Sequence, residues 1–116
     1  MNFKHIVVIG AGTMGTDLSV KFAASNQRVT VVGRVGGRAA TFHERAQNTA
    51  QDLGVTLEKT NLCLVDDIDS VDWSTADLVI ENVNEDLALK QALFRTVTAL
   101  ANADAIITSN SSIFGI

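Results

Sequence analysis

His5-Ile6-Val7-Val8-Ile9-Gly10-Ala11-Gly12-Thr13-Met14-Gly15 is an apolar run that ends in G-x-G-x-x-G. The placement carries the information. Alone the motif is weak, but here it follows a predicted strand and opens a predicted helix. Gly10 permits a tight turn, Gly12 lets the backbone approach a pyrophosphate, and Gly15 lets the helix pack closely on the strand. The helix N-terminus then offers free N–H groups and the positive end of its dipole to phosphate. Gly10, Ala11, Gly12, Thr13, Met14 and Gly15 are therefore candidate dinucleotide-binding residues, with an ordinary glycine-rich turn as the plain alternative.

Outward from this stretch, strands and helices alternate. Lys4 to Ile9 reads as a strand that is apolar nearly throughout, as both-face burial demands. A helix follows from Thr13 to about Ser25, with Met14, Leu18 and Phe22 as its buried stripe. Arg28 to Val32 is β-branched and reads as a second strand. After the loop Gly33 to Gly37, a polar helix runs from Arg38 to about Leu53 and ends near Gly54. Residues 55–75 yield one short strand, Leu62 to Val65, and a turn through Asp66 and Asp67. Asp77 to Ile80 is the next strand. A helix capped by Asn84 or Asp86 runs to about Ala101, with Leu89, Ala92, Leu93, Val97 and Leu100 on its apolar face. Ala105 to Thr108 is the last strand, followed by Ser109-Asn110-Ser111-Ser112.

This order predicts an α/β fold of Rossmann type, a doubly wound, mainly parallel sheet with helices on both faces. Ligands of such sheets lie across the carboxyl ends of the strands. The glycine turn, the loop Glu81 to Glu85 and the loop Ser109 to Ser112 are expected to converge there.

The 116 residues suit one domain but are few for a complete two-substrate enzyme. Apolar residues make up 47%, yet no run is long enough to cross a bilayer, and the N-terminus lacks the pattern of a signal peptide. The net charge of −4 argues against a nucleic-acid surface. The one cysteine, Cys63, sits among apolar neighbours and reads as a buried core thiol with no partners for a metal site. A cytoplasmic location is the expectation.

In this fold an acid after the second strand holds the ribose 2′-hydroxyl of NAD, while an arginine accommodates the 2′-phosphate of NADP. Here Gly33 occupies the acid's place, Arg34 follows, and Arg38 opens the next helix. The small residue makes room and a guanidinium can bind phosphate bidentately, so NADP is favoured over NAD. Solvated surface charges are the alternative for both arginines.

With the later loops included, the whole chain resembles the N-terminal domain of the 3-hydroxyacyl-CoA dehydrogenase family, including the 3-hydroxybutyryl-CoA dehydrogenases. The likeness rests on Val7 to Gly15, Ala76-Asp77-Leu78-Val79-Ile80-Glu81, Glu85-Asp86-Leu87-Ala88-Leu89-Lys90 with Leu93-Phe94, and Ser109-Asn110-Ser111-Ser112. It implies an oxidoreductase of fatty acid metabolism that moves hydride between NAD(P) and C3 of a 3-hydroxyacyl-CoA or its 3-oxoacyl-CoA. By position, Val83, Glu85 and Lys90 would lie near the nicotinamide half and Asn110 in the loop lining that site. Ser112 matches the serine that hydrogen-bonds the reacting oxygen, and would be the catalytic residue of this chain.

Three departures stand out. Gly33 replaces the family's acid, and Ile113 replaces the second serine of the family's S-N-T-S-S-L run. The family's catalytic histidine and its glutamate lie beyond the serine loop. Neither His5 nor His43 matches that histidine, and both are expected to be structural or solvent-facing. Residues 1–116 are thus expected to be the NAD(P)-binding domain. The helical substrate and dimerisation domain, through which a homodimer would form, is expected to be absent from the chain. Such a chain would bind cofactor with little or no turnover. Two other readings are a non-catalytic NADP-binding or sensing module, and the cofactor domain of another β-hydroxyacid dehydrogenase or ketopantoate-type reductase.

Overall fold

The computed structural model describes residues 3–10, 13–33, 38–81 and 87–109. Its strands are β1 (Ile6–Ile9), β2 (Arg28–Val32), β3 (Asn61–Val65), β4 (Leu78–Glu81) and β5 (Ile106–Ser109), and its helices α1 (Thr13–Ala24), α2 (Arg38–Leu53) and α3 (Leu87–Leu100). The strands form one sheet of order β3-β2-β1-β4-β5, with every described pairing parallel. β1 is central and fully buried. With a period of two, Ile6 and Val8 face a core shared with α1 and α2, while Val7 and Ile9 face a second core closed by Val97 of α3 and by Trp73. The expected α/β sheet with helices on both faces is what forms.

Helix ends follow the sequence signals. After α1, Asn26 adopts φ 65°, and Gln27 and Asn26 donate N–H bonds to the carbonyls of Phe22 and Ala23. After α2, Gly54 at φ 73° repeats the pattern, with Val55 bonded to Ala50. Both are Schellman stops, which need a residue that tolerates the left-handed region.

The burial within α1 differs from the expected stripe. Thr16, Ser19, Val20 and Ala23 are its most buried described side chains, whereas Leu18 and Phe22 are only partly covered. Small side chains bring the helix close to the sheet, and the Ser19 hydroxyl is satisfied by donating to the Gly15 carbonyl at 2.6 Å. The apolar face assigned to α3 is also narrower than expected. Val97 is buried and Leu93 partly so, but Ala92 and Leu100 are exposed, since β5 is an edge strand with Ile106 itself 51% exposed.

Cys63 corrects another expectation, because it is exposed. β3 is the other edge strand, and its Leu62 and Leu64 pack toward α1 and α2 while Cys63 points to the opposite face. On that face the apolar cover reaches Val65 but not Cys63. A chromogenic disulfide reagent is therefore expected to titrate Cys63 fully in the folded chain without denaturant. Protection until unfolding would contradict the exposed placement.

The first strand is shorter than the predicted Lys4–Ile9. The backbone N–H groups of Lys4 and His5 bond to the Asp77 carboxylate at 2.7 and 3.0 Å rather than extending the ladder. This pins the start of β1 beside the start of β4. Among the described residues no helix is long and apolar enough to cross a membrane.

Candidate functional site

The register places Ile9, Val32, Val65, Glu81 and Ser109 in one row along the carboxyl edge of the sheet. The chain rises on β1, moves outward to β2 and β3, then returns to the other side of β1 for β4 and β5. The switch in direction falls between β1 and β4, the place where open parallel sheets bind ligands.

Gly10 follows Ile9 directly. It has φ 112°, a conformation that side-chain-bearing residues rarely adopt, and its N–H donates to the Val32 carbonyl at 2.8 Å. That bond fixes the turn to β2 before α1 begins at Thr13. Gly15 is buried inside the first turns of α1. Neither α1 nor α2 has an acidic residue in its first turn, so those turns themselves place no like charge against an anion. The start of α1 at Thr13 and Met14 is the kind of helix N-terminus that binds phosphate.

At the end of β2, Gly33 donates its N–H to the Val65 carbonyl at 2.9 Å, which extends the β2–β3 pairing by one residue. Gly33 thus stands on the same edge as Gly10. Arg38 opens α2, Thr13 and Met14 open α1, and Lys90 lies in the first turn of α3. Ala11, Gly12, Arg34, Val83, Glu85, Asn110 and Ser112 lie outside the described residues. The strand ends that precede them, on β1, β2, β4 and β5, share the carboxyl row.

The sequence places Glu81 at the start of a polar loop. It is instead the last residue of β4 and only 2% exposed, between Ile9 and Ser109 in register. The apolar pattern gave no signal for this, because a glutamate after Leu78-Val79-Ile80 reads as the end of a buried strand. Asp17 of α1 is marked by no sequence motif. It accepts hydrogen bonds from Arg45 and Thr49 of α2, and no sequence spacing links residues so far apart.

The order of the parallel sheet, the glycine turn at the switch point and the acid-free helix N-termini define a dinucleotide-binding domain. The model of the family described as 3-hydroxyacyl-CoA dehydrogenase, NAD binding domain, matches residues 5–116. The chain belongs to this family. It is 34% identical over 116 residues to the 5-formyl-3-hydroxy-2-methylpyridine 4-carboxylate 5-dehydrogenase of Mesorhizobium japonicum, covering 94% of this chain and 37% of that protein. Against the mitochondrial hydroxyacyl-coenzyme A dehydrogenase of Mus musculus the identity is 31% over 123 residues, with 94% and 39% covered. The crystal structure of 3-hydroxybutyryl-CoA dehydrogenase from Escherichia coli superposes with a TM-score of 0.76 at 28% identity, covering 95% of this chain and 25% of that one. The chain thus spans well under half the length of these relatives.

Proposed function

We propose that the chain holds the cofactor of an oxidoreductase that interconverts a 3-hydroxyacyl-CoA and its 3-oxoacyl-CoA. The observation that carries this reading is the family match over residues 5–116, on a sheet whose switch point bears Gly10 at φ 112°. Gly10, its own N–H held by Val32, shapes the turn, and Ala11, Gly12, Thr13, Met14 and Gly15 bind the pyrophosphate through backbone N–H groups. Val83, Glu85, Lys90 and Asn110 line the nicotinamide half, and Ser112 orients the reacting oxygen of the substrate. When bound, the nicotinamide ring supplies hydride chemistry, and the protein supplies position and charge. Residues 1–116 form the NAD(P)-binding domain, and taken alone they bind cofactor with little turnover, because general acid–base work needs a group within reach of the substrate oxygen.

Gly33, Arg34 and Arg38 turn the preference toward NADP. A backbone without a side chain at the end of β2 leaves room for a 2′-phosphate, and a following guanidinium supplies its counter-charge. Paired titrations with NADPH and NADH at one fixed salt concentration test this. The expected result is at least tenfold tighter binding of NADPH, about 1.4 kcal/mol, reversed by Arg34→Asp. Equal or NADH-favoured binding removes the NADP reading and leaves NAD, the cofactor for which the family is described.

The Mesorhizobium relative favours a second reading of the substrate. Its name gives a hydroxypyridine carrying a formyl group, not a thioester. The cofactor role stays the same in either case.

A further inference from the structure

Helix α2 is held against α1 and the sheet by unlike contacts. Its apolar contact with the core is Phe42, Ala46 and Ala50, spaced one turn apart and all buried. Two of the three are alanines, which allow close approach but interlock weakly with a neighbouring helix. The polar contact is more directional. Asp17 of α1 accepts from Arg45 Nη2 at 3.0 Å through Oδ2 and from Thr49 Oγ1 at 2.8 Å through Oδ1. Arg45 and Thr49 are neighbours on one face of α2. One carboxylate thus grips two successive turns of the facing helix, which restrains both sliding and rotation.

The clasp lies close to the cofactor edge. Asp17 is one turn from Thr13, about 6 Å along the axis from the start of α1. Arg45 is about 10 Å from Arg38, where α2 begins. In chain order α1 follows β1 and Gly10, and α2 follows β2 and Gly33.

We propose that Asp17 is a positioning residue for the adenosine half of the dinucleotide. By tying α2 to α1 it sets the separation between the glycine turn and the start of α2, and so the fit of the adenosine ribose between them. This rests on the dinucleotide-binding reading above. The carboxylate is suited to the task. Burial alone would raise its pKa, but the hydrogen bonds from Arg45 and Thr49 and the charges of Arg45 and Lys21 outweigh that and hold it below the ordinary aspartate value. The clasp therefore stays ionised throughout the neutral range.

The test measures dissociation constants for ADP-ribose and NADH, with a urea unfolding midpoint, on wild type, Asp17→Asn, Arg45→Met and the double variant. Each single variant is expected to weaken both ligands by the same factor, threefold to tenfold, because the whole loss falls on the adenosine half. The double variant is expected to bind no more weakly than Asp17→Asn, since the clasp acts as one unit. Where Asp17→Asn fails to fold, Thr49→Val removes one of the two bonds and is read in its place. Unchanged affinities, independent losses that multiply, or a greater loss for NADH than for ADP-ribose would each overturn the assignment. Wild-type chain that binds neither ligand would instead remove the dinucleotide reading itself.

Discussion

Gly10→Ala is expected to weaken NADH binding by at least tenfold and to lower the unfolding free energy by about 1–3 kcal/mol. Two separate consequences of one backbone angle produce these effects. At φ 112° a Cβ clashes with the local backbone, so the variant either carries the strain or relaxes the turn. Relaxing the turn disturbs the 2.8 Å bond from the Gly10 N–H to the Val32 carbonyl and with it the entry into α1. In the proposed reading the N–H groups at the start of α1 bind the anion, and a displacement of about 1 Å is enough to cost much of a positioned interaction.

The stability loss alone would not identify a site, so the comparison is with Gly54→Ala. Gly54 also has a positive φ, 73°, with open space where its Cβ would stand, and it ends α2 far along the chain from the glycine turn. Its alanine variant is expected to lose a similar order of stability, about 1 kcal/mol, with unchanged NADH affinity. Calorimetric titration of both variants separates the cases. Parallel losses of affinity would mean that the turn at Gly10 matters only to the fold.

The fold was legible because its signals are local or periodic. β1 announces itself by an unbroken apolar run, the turn by glycines at fixed spacing, and the ends of α1 and α2 by Asn26 and Gly54. The carboxyl row follows from topology once the strands are known. Edge effects were not legible. Cys63 and Leu100 are apolar by neighbourhood, but their exposure is decided by where the sheet stops, which depends on strand order. Contacts between distant residues were equally hidden. Nothing in the spacing of Asp17, Arg45 and Thr49 says that α1 and α2 present them to one another. His5 is expected to be structural or solvent-facing; it is buried, and its partners Thr30 and Thr75 come from other parts of the chain.

His5 gives the second large effect, at the amino edge of the sheet. The imidazole is 0% exposed, with Nε2 2.7 Å from Thr30 Oγ1 and Nδ1 3.0 Å from Thr75 Oγ1. Thr75 Oγ1 also accepts from Arg28 and lies within donating distance of the Asp72 carboxylate. Its single proton is then directed at Asp72, so Nδ1 carries a proton toward Thr75 and Nε2 accepts from Thr30. His5→Ala leaves the buried Thr30 hydroxyl without this partner and opens a cavity, and about 2–4 kcal/mol of stability is expected to go. In urea that is a midpoint shift of about 1–2 M. Retention of the wild-type midpoint would show that the imidazole is dispensable.

The same residue makes stability depend on pH in a defined direction. Burial, followed by the charge of Arg28, lowers the His5 pKa below its ordinary 6.5, against the opposing influence of Asp72 and Asp77. Above 6.5 both folded and unfolded chains carry a neutral imidazole, and this group contributes no slope. As pH falls through 6.5 the unfolded chain takes up a proton that the folded chain resists, so stability falls, by at most about 1.4 kcal/mol per pH unit, until the folded pKa is passed. Asp17 and Asp72, both lowered from 3.8, add their losses only at more acid pH. Among the shifted groups of the described residues, urea titrations at intervals between pH 7.5 and about 5 therefore read the histidine. His5→Gln is expected to flatten the wild-type decline in that window, and a decline of equal steepness in the variant would assign it to another group.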